Sequence, residues 1–278
     1  MSQRKRVSTS QSSSQNKRPA SLSLTATNDD DDSMFTLPST SQVLKGLENL
    51  TEEQVYQKTA EVLQYFLVRD QKKIPIRRAD IMKHVVKDYR NIYPEIIKRT
   101  ARTLDQVRHI IDLQVFGLKL VEIDTKNHTY ILINKLEEPE GMTSSSGPAN
   151  LKSGLLFVVL GLIFMKGGFV RENLIWNLLK KLHVDIGQKH NDFGDVKKLI
   201  TEEFVRQRYL EYVKIPHTEP VEHEFCWGQR ADVEVSKVKI LELMAQLHKD
   251  RPESWSQQYK EAHSALSTSS QATSSSQR

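Results

Sequence analysis

An uninterrupted apolar stretch, GLLFVVLGLIFM from Gly154 to Met165, decides what kind of domain this chain can form. A transmembrane helix needs about 20 mostly apolar residues to cross the hydrocarbon core of a bilayer, so this stretch is too short to span one. It is internal, and residues 1–30 lack the apolar core of a signal peptide. We therefore expect a buried helix of a globular domain. Because this helix is apolar on nearly every side, an additional element should cover it.

The 278-residue chain has a formal net charge of +5, which suits an anionic partner. Residues 1–48 and 265–278 are rich in Ser, Thr, Gln and Asn and poor in large apolar groups, so both ends are predicted to be disordered tails. The composition changes again at EEPEGMTSSSGPAN, residues 137–150, which is typical of a linker. Two predicted domains remain, at 49–136 and 151–264.

The first predicted domain contains three helical patterns followed by a β-hairpin. Thr51 and Gln54 form the pattern of a capping box at the start of the first helix. The apolar face of that helix carries Val55, Thr59, Val62 and Phe66. The second and third helices are predicted in RRADIMKHVVKDY and YPEIIKRTARTLDQVRHIIDLQVF, and the paired strands in GLKLVEID and HTYILIN. Three helices and a hairpin describe a winged helix.

The second predicted domain repeats this order. Its helices lie in the apolar stretch, ENLIWNLLKKL and GDVKKLITEEFVRQ, its hairpin strands in YLEYVKI and HEFCWG, and a further helix in DVEVSKVKILELMAQLHKD. We expect this further helix to pack back onto the domain. The predicted fold class is therefore mainly α with small β-hairpins (α+β), arranged as tandem winged-helix domains.

The sequence lacks the residue clusters that catalysis or metal binding requires. Cys226 is the only cysteine, which excludes an intramolecular disulfide and a multi-cysteine zinc site and fits a reducing compartment. HNDFGD, residues 190–195, reads as a polar loop with a helix N-cap rather than a ligand cluster. We predict no catalytic residue, metal, cofactor or small-molecule substrate.

Nucleic-acid binding has modest support from clustered basic residues, although charged faces are often only solvated. The tail residues Arg4, Lys5, Arg6, Lys17 and Arg18 fit a nuclear-import or phosphate-contacting patch. A winged helix can present its third helix to a DNA groove, with phosphate contacts that weaken as salt increases. The candidate DNA-contacting residues are Arg77, Arg78, Lys83, Lys197, Lys198, Arg206 and Arg208.

Several long motifs resemble the MAGE homology domain family, and together they cover about residues 50 to 263. The motifs are RDQKKIPIRRADI, VFGLKLVEID, GLLFVVLGLIFMKG, FGDVKKLITEEFVRQRYLEY, EFCWGQRA and SKVKILELMAQLHKDRPESW. Within the family, KKIPIRRADI and TYILIN are most similar to the ancestral-type branch, whose members serve in the five/six-type structural-maintenance-of-chromosomes complex.

This resemblance implies a non-catalytic subunit that binds a RING-type ubiquitin-ligase partner through its first half and a kleisin subunit through its second half. It also implies contact with double-stranded DNA and a nuclear, chromosome-associated location, with the cytoplasm left open. The candidate RING-partner interface is Phe66, Leu67 and Val68. An apolar groove that accepts an amphipathic helix is a common recognition mode. The candidate kleisin-binding groove is Phe157, Leu160, Phe164 and Trp176, each of which also fits an ordinary core position.

Two departures from the family pattern affect the first domain. Leu67 and Val68 stand where much of the family has two leucines, which keeps an apolar patch of slightly different shape. An apparent insert of about eight residues, near 107–114, either adds about two helical turns or bulges out.

Two other functions are considered. One is a MAGE-type regulator that recruits substrates to a ubiquitin ligase without contacting DNA. The other is a free-standing transcription factor, which rests on winged-helix architecture alone and is weak because fold does not fix function.

Overall fold

The computed structural model describes residues 38–105, 109–110, 113–114, 117–134 and 148–264. The helices are α1 (Thr40–Glu48), α2 (Glu52–Asp70), α3 (Arg78–Ile81), α4 (Tyr93–Asp105), α5 (Pro148–Met165), α6 (Glu172–Lys181), α7 (Val196–Lys198), α8 (Phe204–Arg206), α9 (Gln229–Glu234), α10 (Lys237–His248) and a last helical stretch over 256–264. The strands are β1 (Ile76–Arg77), β2 (His109–Ile110), β3 (Leu113–Gln114), β4 (Leu118–Asp124), β5 (Thr129–Asn134), β6 (Phe169–Arg171), β7 (Lys189–His190), β8 (Gly194–Asp195), β9 (Leu210–Lys214) and β10 (His223–Trp227). The chain therefore mixes helices with small antiparallel sheets, as the sequence predicted.

Tight turns extend two of the helices. Helix α3 continues through a π-helical turn at Met82–Val86 and a 3-10 turn at Lys87–Ile92, and a second π-helical turn at Leu199–Glu203 joins α7 to α8. A further 3-10 turn lies at Pro252–Ser254, between α10 and the last helical stretch.

The same strand order recurs in both halves of the chain. One sheet has the order β1-β5-β4 and the other β6-β10-β9. In each half a short strand, which follows α2 or α5, therefore pairs antiparallel with the last strand of the hairpin. Each half also has its own cluster of buried side chains, one built on α2 and α4 and the other on α5. Both hairpins were predicted, whereas β1 and β6 were not.

Local sequence signals determine α2. The Thr51 backbone N–H donates to Gln54 Oε1 at 2.9 Å, and the Gln54 N–H donates to the Thr51 hydroxyl at 3.3 Å, which completes the predicted capping box. The predicted apolar face is also confirmed, because Val55, Thr59, Val62 and Phe66 are the buried residues of this helix.

The predicted tail extends too far into the chain, because α1 forms within its last residues. Ser39 and Gln42 cap this helix through a second capping box. Leu47 and Leu50 then pack against the first core, so burial of apolar surface offsets the entropy cost of ordering the segment. The predicted linker is also too long, since Pro148 already belongs to α5.

The predicted third helix of the first half ends earlier than expected. Helix α4 stops at Asp105, and His109–Ile110 pairs antiparallel with Leu113–Gln114, so the described part of the insert is not helical. The predicted helical positions Ile111 and Val115 lie outside the described residues. The sequence at 107–111 is rich in β-branched residues, which favour strands over helices.

Helix α5 is the centre of the second half, and its cover comes from several elements. Val159, Leu160, Ile163 and Phe164 are at most 1 % exposed. The Trp227 indole N–H donates to the Leu160 carbonyl at 3.0 Å from β10. Strand β10 therefore covers one side of α5.

On its other side α5 packs closely against the C-terminal part of the chain. A methyl group added at Gly161 would lie 3.6 Å from Ile240 Cγ2 and 3.7 Å from Met244 Cε, both on α10. The Gln258 side chain donates to the Met165 carbonyl at 3.2 Å. The expected additional cover is therefore α10 with the last helical stretch, and the prediction that the further helix packs back is confirmed. Within the described ranges, no helix has the length and apolarity to cross a membrane.

Gly228 lies at a close approach of two backbone segments, and its N–H donates to the Tyr209 carbonyl at 2.9 Å. A Cβ atom added there would overlap the carbonyl oxygen of Arg208 and lie 2.8 Å from its carbon. We expect Gly228→Ala to lower the free energy of unfolding by about 1–3 kcal/mol, since backbone atoms must shift. Urea unfolding checks this, with Gly187→Ala as the control because that site has open space around it. Equal stability of the two variants would contradict the close approach.

Candidate functional site

The candidate RING-partner residues differ in their access to solvent. Phe66 is fully buried and contacts the Tyr130 ring edge-on, with centroids 6.5 Å apart. Leu67 is partly buried, and Val68 is 55 % exposed. Phe66 is therefore a core residue, and only Val68 and part of Leu67 reach a surface where a partner could bind.

A cleft of about 320 Å³ lies between α2 and α4. Its lining residues are Tyr56, Thr59, Ala60, Leu63, Arg99, Arg102 and Thr103. Arg99 bridges the two helices by donating to Glu95 at 2.9 Å and to Glu52 at 2.5 Å, and these hydrogen bonds raise its pKa above the ordinary value. Sequence reasoning missed the cleft, although Tyr56, Ala60 and Leu63 recur at helical spacing.

The candidate kleisin-binding residues do not form one surface groove. Leu160 and Phe164 are buried in the second core, whereas Phe157 and Trp176 are partly exposed. Helix α5 is apolar both on the side that faces the core and on the side that faces α10. The apolar pattern of the sequence therefore could not distinguish a surface groove from a core. Only Phe157 and Trp176 remain available as surface contacts.

Trp176 borders a second cleft, of about 220 Å³, at the start of α6. Glu172 organises it by accepting hydrogen bonds from the Trp176 indole at 2.9 Å and from the Tyr212 hydroxyl at 2.6 Å. Burial and then the Glu172 carboxylate raise the pKa of Tyr212, which therefore stays protonated at neutral pH. Lys197 Nζ and His223 Nδ1 each lie 3.9 Å from Glu172, so a lysine and a histidine border this carboxylate.

The candidate DNA-contacting residues are divided between buried and exposed positions. Arg78 is 5 % exposed and therefore lies in the interior, and its backbone N–H donates to the His128 carbonyl at 3.0 Å. Arg77 is partly exposed, with Nε 3.5 Å from Asp80. The remaining candidates are exposed: Lys83, Lys197, Lys198, Arg206 and Arg208. Four of these lie on or beside the segment from α7 to α8, so that segment carries a basic surface.

An arginine that sequence reasoning missed lies in the interior of the second half. Arg230 is fully buried, its Nη1 lies 3.6 Å from Glu234 Oε1, and its guanidinium lies 5.4 Å from the centre of the Tyr209 ring. The Tyr209 hydroxyl donates to Glu234, and burial followed by this carboxylate raises the pKa of Tyr209. The buried charge therefore depends on Glu234. The sequence signals were its place in the motif EFCWGQRA and the glutamate that follows it by four residues.

The polar loop at 190–195 and Cys226 lack the features of a chemical site. Asp195 accepts the Lys198 N–H at 3.0 Å, which confirms the predicted N-cap after the polar loop. Burial and the nearby Glu211 raise the pKa of Cys226 to about 11, so its thiol is neutral and weakly nucleophilic at neutral pH. Within the part of the chain that the structure describes, no group of three or more His, Cys, Asp or Glu residues could hold a metal ion.

Comparison with known proteins gives consistent matches. Residues 62–238 match the MAGE homology domain. The chain is 51 % identical over 213 residues to "Non-structural maintenance of chromosomes element 3 homolog" of Mus musculus, covering 76 % of this chain and 74 % of the relative. The Homo sapiens protein of the same description is 50 % identical over 213 residues, covering 76 % and 67 %. A chain of the solved "Nse1-Nse3-Nse4 complex" is similar with a TM-score of 0.71 and 52 % identity, covering 77 % of this chain and 100 % of that chain.

Proposed function

Since the chain belongs to the family of MAGE homology domain proteins, we propose that it is a non-catalytic subunit of a chromosome-maintenance complex. In this proposal it bridges a RING-type ubiquitin-ligase partner and a kleisin subunit within a structural-maintenance-of-chromosomes complex. It would act in the nucleus, in DNA repair and recombination.

One observation carries the proposal. The chain is 52 % identical to a chain of the solved "Nse1-Nse3-Nse4 complex" and matches that chain over its whole length. At this level of identity we infer that the surfaces through which that chain joins its complex have counterparts here.

We also propose that each half is a winged-helix domain, at about 39–136 and 148–264. Support comes from the repeated order of helices and hairpin, from the matching strand orders β1-β5-β4 and β6-β10-β9, and from the two separate hydrophobic cores. The first domain starts earlier than the sequence predicted because α1 packs against its core.

The test of bridging is a pair of binding measurements with purified RING-type and kleisin candidates. Each should bind the full chain alone, and Val68→Asp should weaken only the RING partner while Trp176→Ala weakens only the kleisin. Leu243→Asp, at an exposed position on α10, is the control. Failure of both candidates to bind the unaltered chain would reject the proposal.

DNA contact by the segment from α7 to α8 is a separate part of the proposal. The exposed basic side chains there fit phosphate groups, and such contacts release counterions. We expect Lys197→Glu with Lys198→Glu to weaken duplex binding about tenfold or more. The variant should also make the slope of log affinity against log salt shallower by about 2.

Titration of duplex DNA at several salt concentrations measures both quantities. Lys180→Glu with Lys181→Glu reverses the same number of charges at the exposed end of α6 and is the matched control. Equal loss in the two variants would show that net charge, rather than this segment, determines binding.

A second candidate function is a regulator that recruits substrates to a ubiquitin ligase without contacting DNA. It is favoured by the burial of Arg78 and by the carboxylates near Arg77 and Lys197, which reduce the charge available to phosphates. Absence of duplex binding at low salt, together with retained RING-partner binding, would favour this function.

A further inference from the structure

A polar cleft of about 460 Å³ lies where α1 meets the 3-10 turn at Lys87–Ile92. Its lining residues are Pro38, Gln42, Lys45, Gly46, Asn49, Arg90 and Asn91. Helix α1 approaches the turn closely, because a Cβ atom added at Gly46 would lie 2.8 Å from Ile92 Cγ2. The two walls are therefore packed against each other, which gives the cleft a defined shape.

The charge of this α1 cleft is positive. Lys45 and Arg90 are both exposed, and the described residues supply neither of them with an ion pair. None of the residues that line the cleft is acidic, whereas Gln42 and Asn91 add side-chain amides that can donate hydrogen bonds. The cleft therefore fits an anionic group that carries several oxygen acceptors.

The chain carries such a group next to the cleft. Residues 29–32 are four consecutive aspartates, and this acidic run ends six residues before Pro38, which itself borders the cleft. Six residues span at most about 20 Å, so the acidic run cannot lie far from the cleft. A tether this short gives an effective concentration on the order of millimolar, so even a weak contact is populated.

We propose that the acidic run binds in the α1 cleft, with its carboxylates facing Lys45 and Arg90. Opposite charges and amide donors favour this contact, and salt weakens it because both cations are exposed. A bound acidic run withholds these two cations from the phosphate groups of DNA, which leaves the proposed DNA contact to the segment from α7 to α8. The proposed function assigns no role to the acidic run, and neither protein partner is needed for the contact.

The experiment measures binding of a fluorescent peptide of residues 26–36 to the full chain by fluorescence anisotropy. In one form of the chain, asparagine replaces all four aspartates at 29–32, so that its own acidic run no longer competes with the peptide. In that form, Lys45→Glu with Arg90→Glu reverses the charges of the cleft. Lys180→Glu with Lys181→Glu, at the exposed end of α6, is the matched control.

We expect the peptide to bind the asparagine form about fivefold or more tightly than the unaltered chain, because the tethered acidic run competes in the latter. Lys45→Glu with Arg90→Glu should weaken peptide binding about tenfold or more, while the control stays within about twofold. All four lysine and arginine positions are exposed, so thermal unfolding should be the same in every form.

Four results would overturn the inference. The asparagine form does not bind the peptide, or it binds the peptide no more tightly than the unaltered chain does. The two charge-reversed forms lose binding equally, which would assign the effect to net charge. The unaltered chain self-associates with concentration and the asparagine form does not, which would place the acidic run on a second copy. Each of these results leaves the proposed binding of the RING-type and kleisin partners standing, since that binding is measured separately.

Discussion

Replacement of Phe164 by alanine should lower the free energy of unfolding of the second half by about 3–5 kcal/mol. Phe164 is 1 % exposed and packs against Trp227, with ring centroids 6.4 Å apart. Its removal therefore leaves a cavity between α5 and β10 that the surrounding elements fill only in part. Chemical denaturation followed by tryptophan fluorescence measures the loss.

The same variant separates a core role from a binding role. Val158→Ala is the control, since Val158 lies on the same helix and is 36 % exposed. It should lower the free energy of unfolding by much less than Phe164→Ala does. If Phe164→Ala keeps its stability but loses kleisin binding, the buried position of Phe164 is contradicted. That outcome would restore the surface groove which the sequence suggested.

Glu234→Ala, which removes the Glu234 carboxylate, should also lower the free energy of unfolding by about 3–5 kcal/mol. The loss leaves the fully buried Arg230 without its nearest anion and the Tyr209 hydroxyl without its acceptor. An uncompensated buried charge costs far more than an unpaired surface charge. Glu242→Ala, at an exposed site on α10, should change stability by less than about 0.5 kcal/mol.

Arg230→Met provides the opposite test of the same interaction. Methionine fills similar space without a charge but leaves the Glu234 carboxylate without its cation, so we expect Arg230→Met alone to destabilise the fold. In the Glu234→Ala background the ion pair is already gone, so the same change should rescue much of the loss. Thermal unfolding of the two single variants and the double variant measures the coupling. Additive losses would show that Arg230 and Glu234 stabilise the fold independently, contrary to the contact described here.

The sequence predicted best the features that local patterns control. The Thr51 capping box, the buried face of α2 and both hairpins follow from side-chain spacing and turn residues, which act over a few positions. The α5 core followed from the density of apolar residues. Each of these signals lies within the element that it specifies.

Features set by distant contacts could not be predicted in the same way. Strand β1 has only two residues, and its place is fixed by pairing of Ile76 with Tyr130, far along the chain. That pairing also turns Arg78 into the interior and removes it from the candidate DNA surface. Arg230 was missed for a similar reason: Glu234 follows it by four residues on α9, but its burial beside Tyr209 arises only when α9 packs against the segment before β9.

Formation of a ternary complex is the most direct test of a bridging subunit. Size-exclusion chromatography with light scattering, applied to the full chain mixed with the RING-type partner and the kleisin, measures the mass of the assembly. A single species with one copy of each component is the predicted result. Two separate binary complexes, with either partner displacing the other, would contradict bridging even if each binds tightly alone.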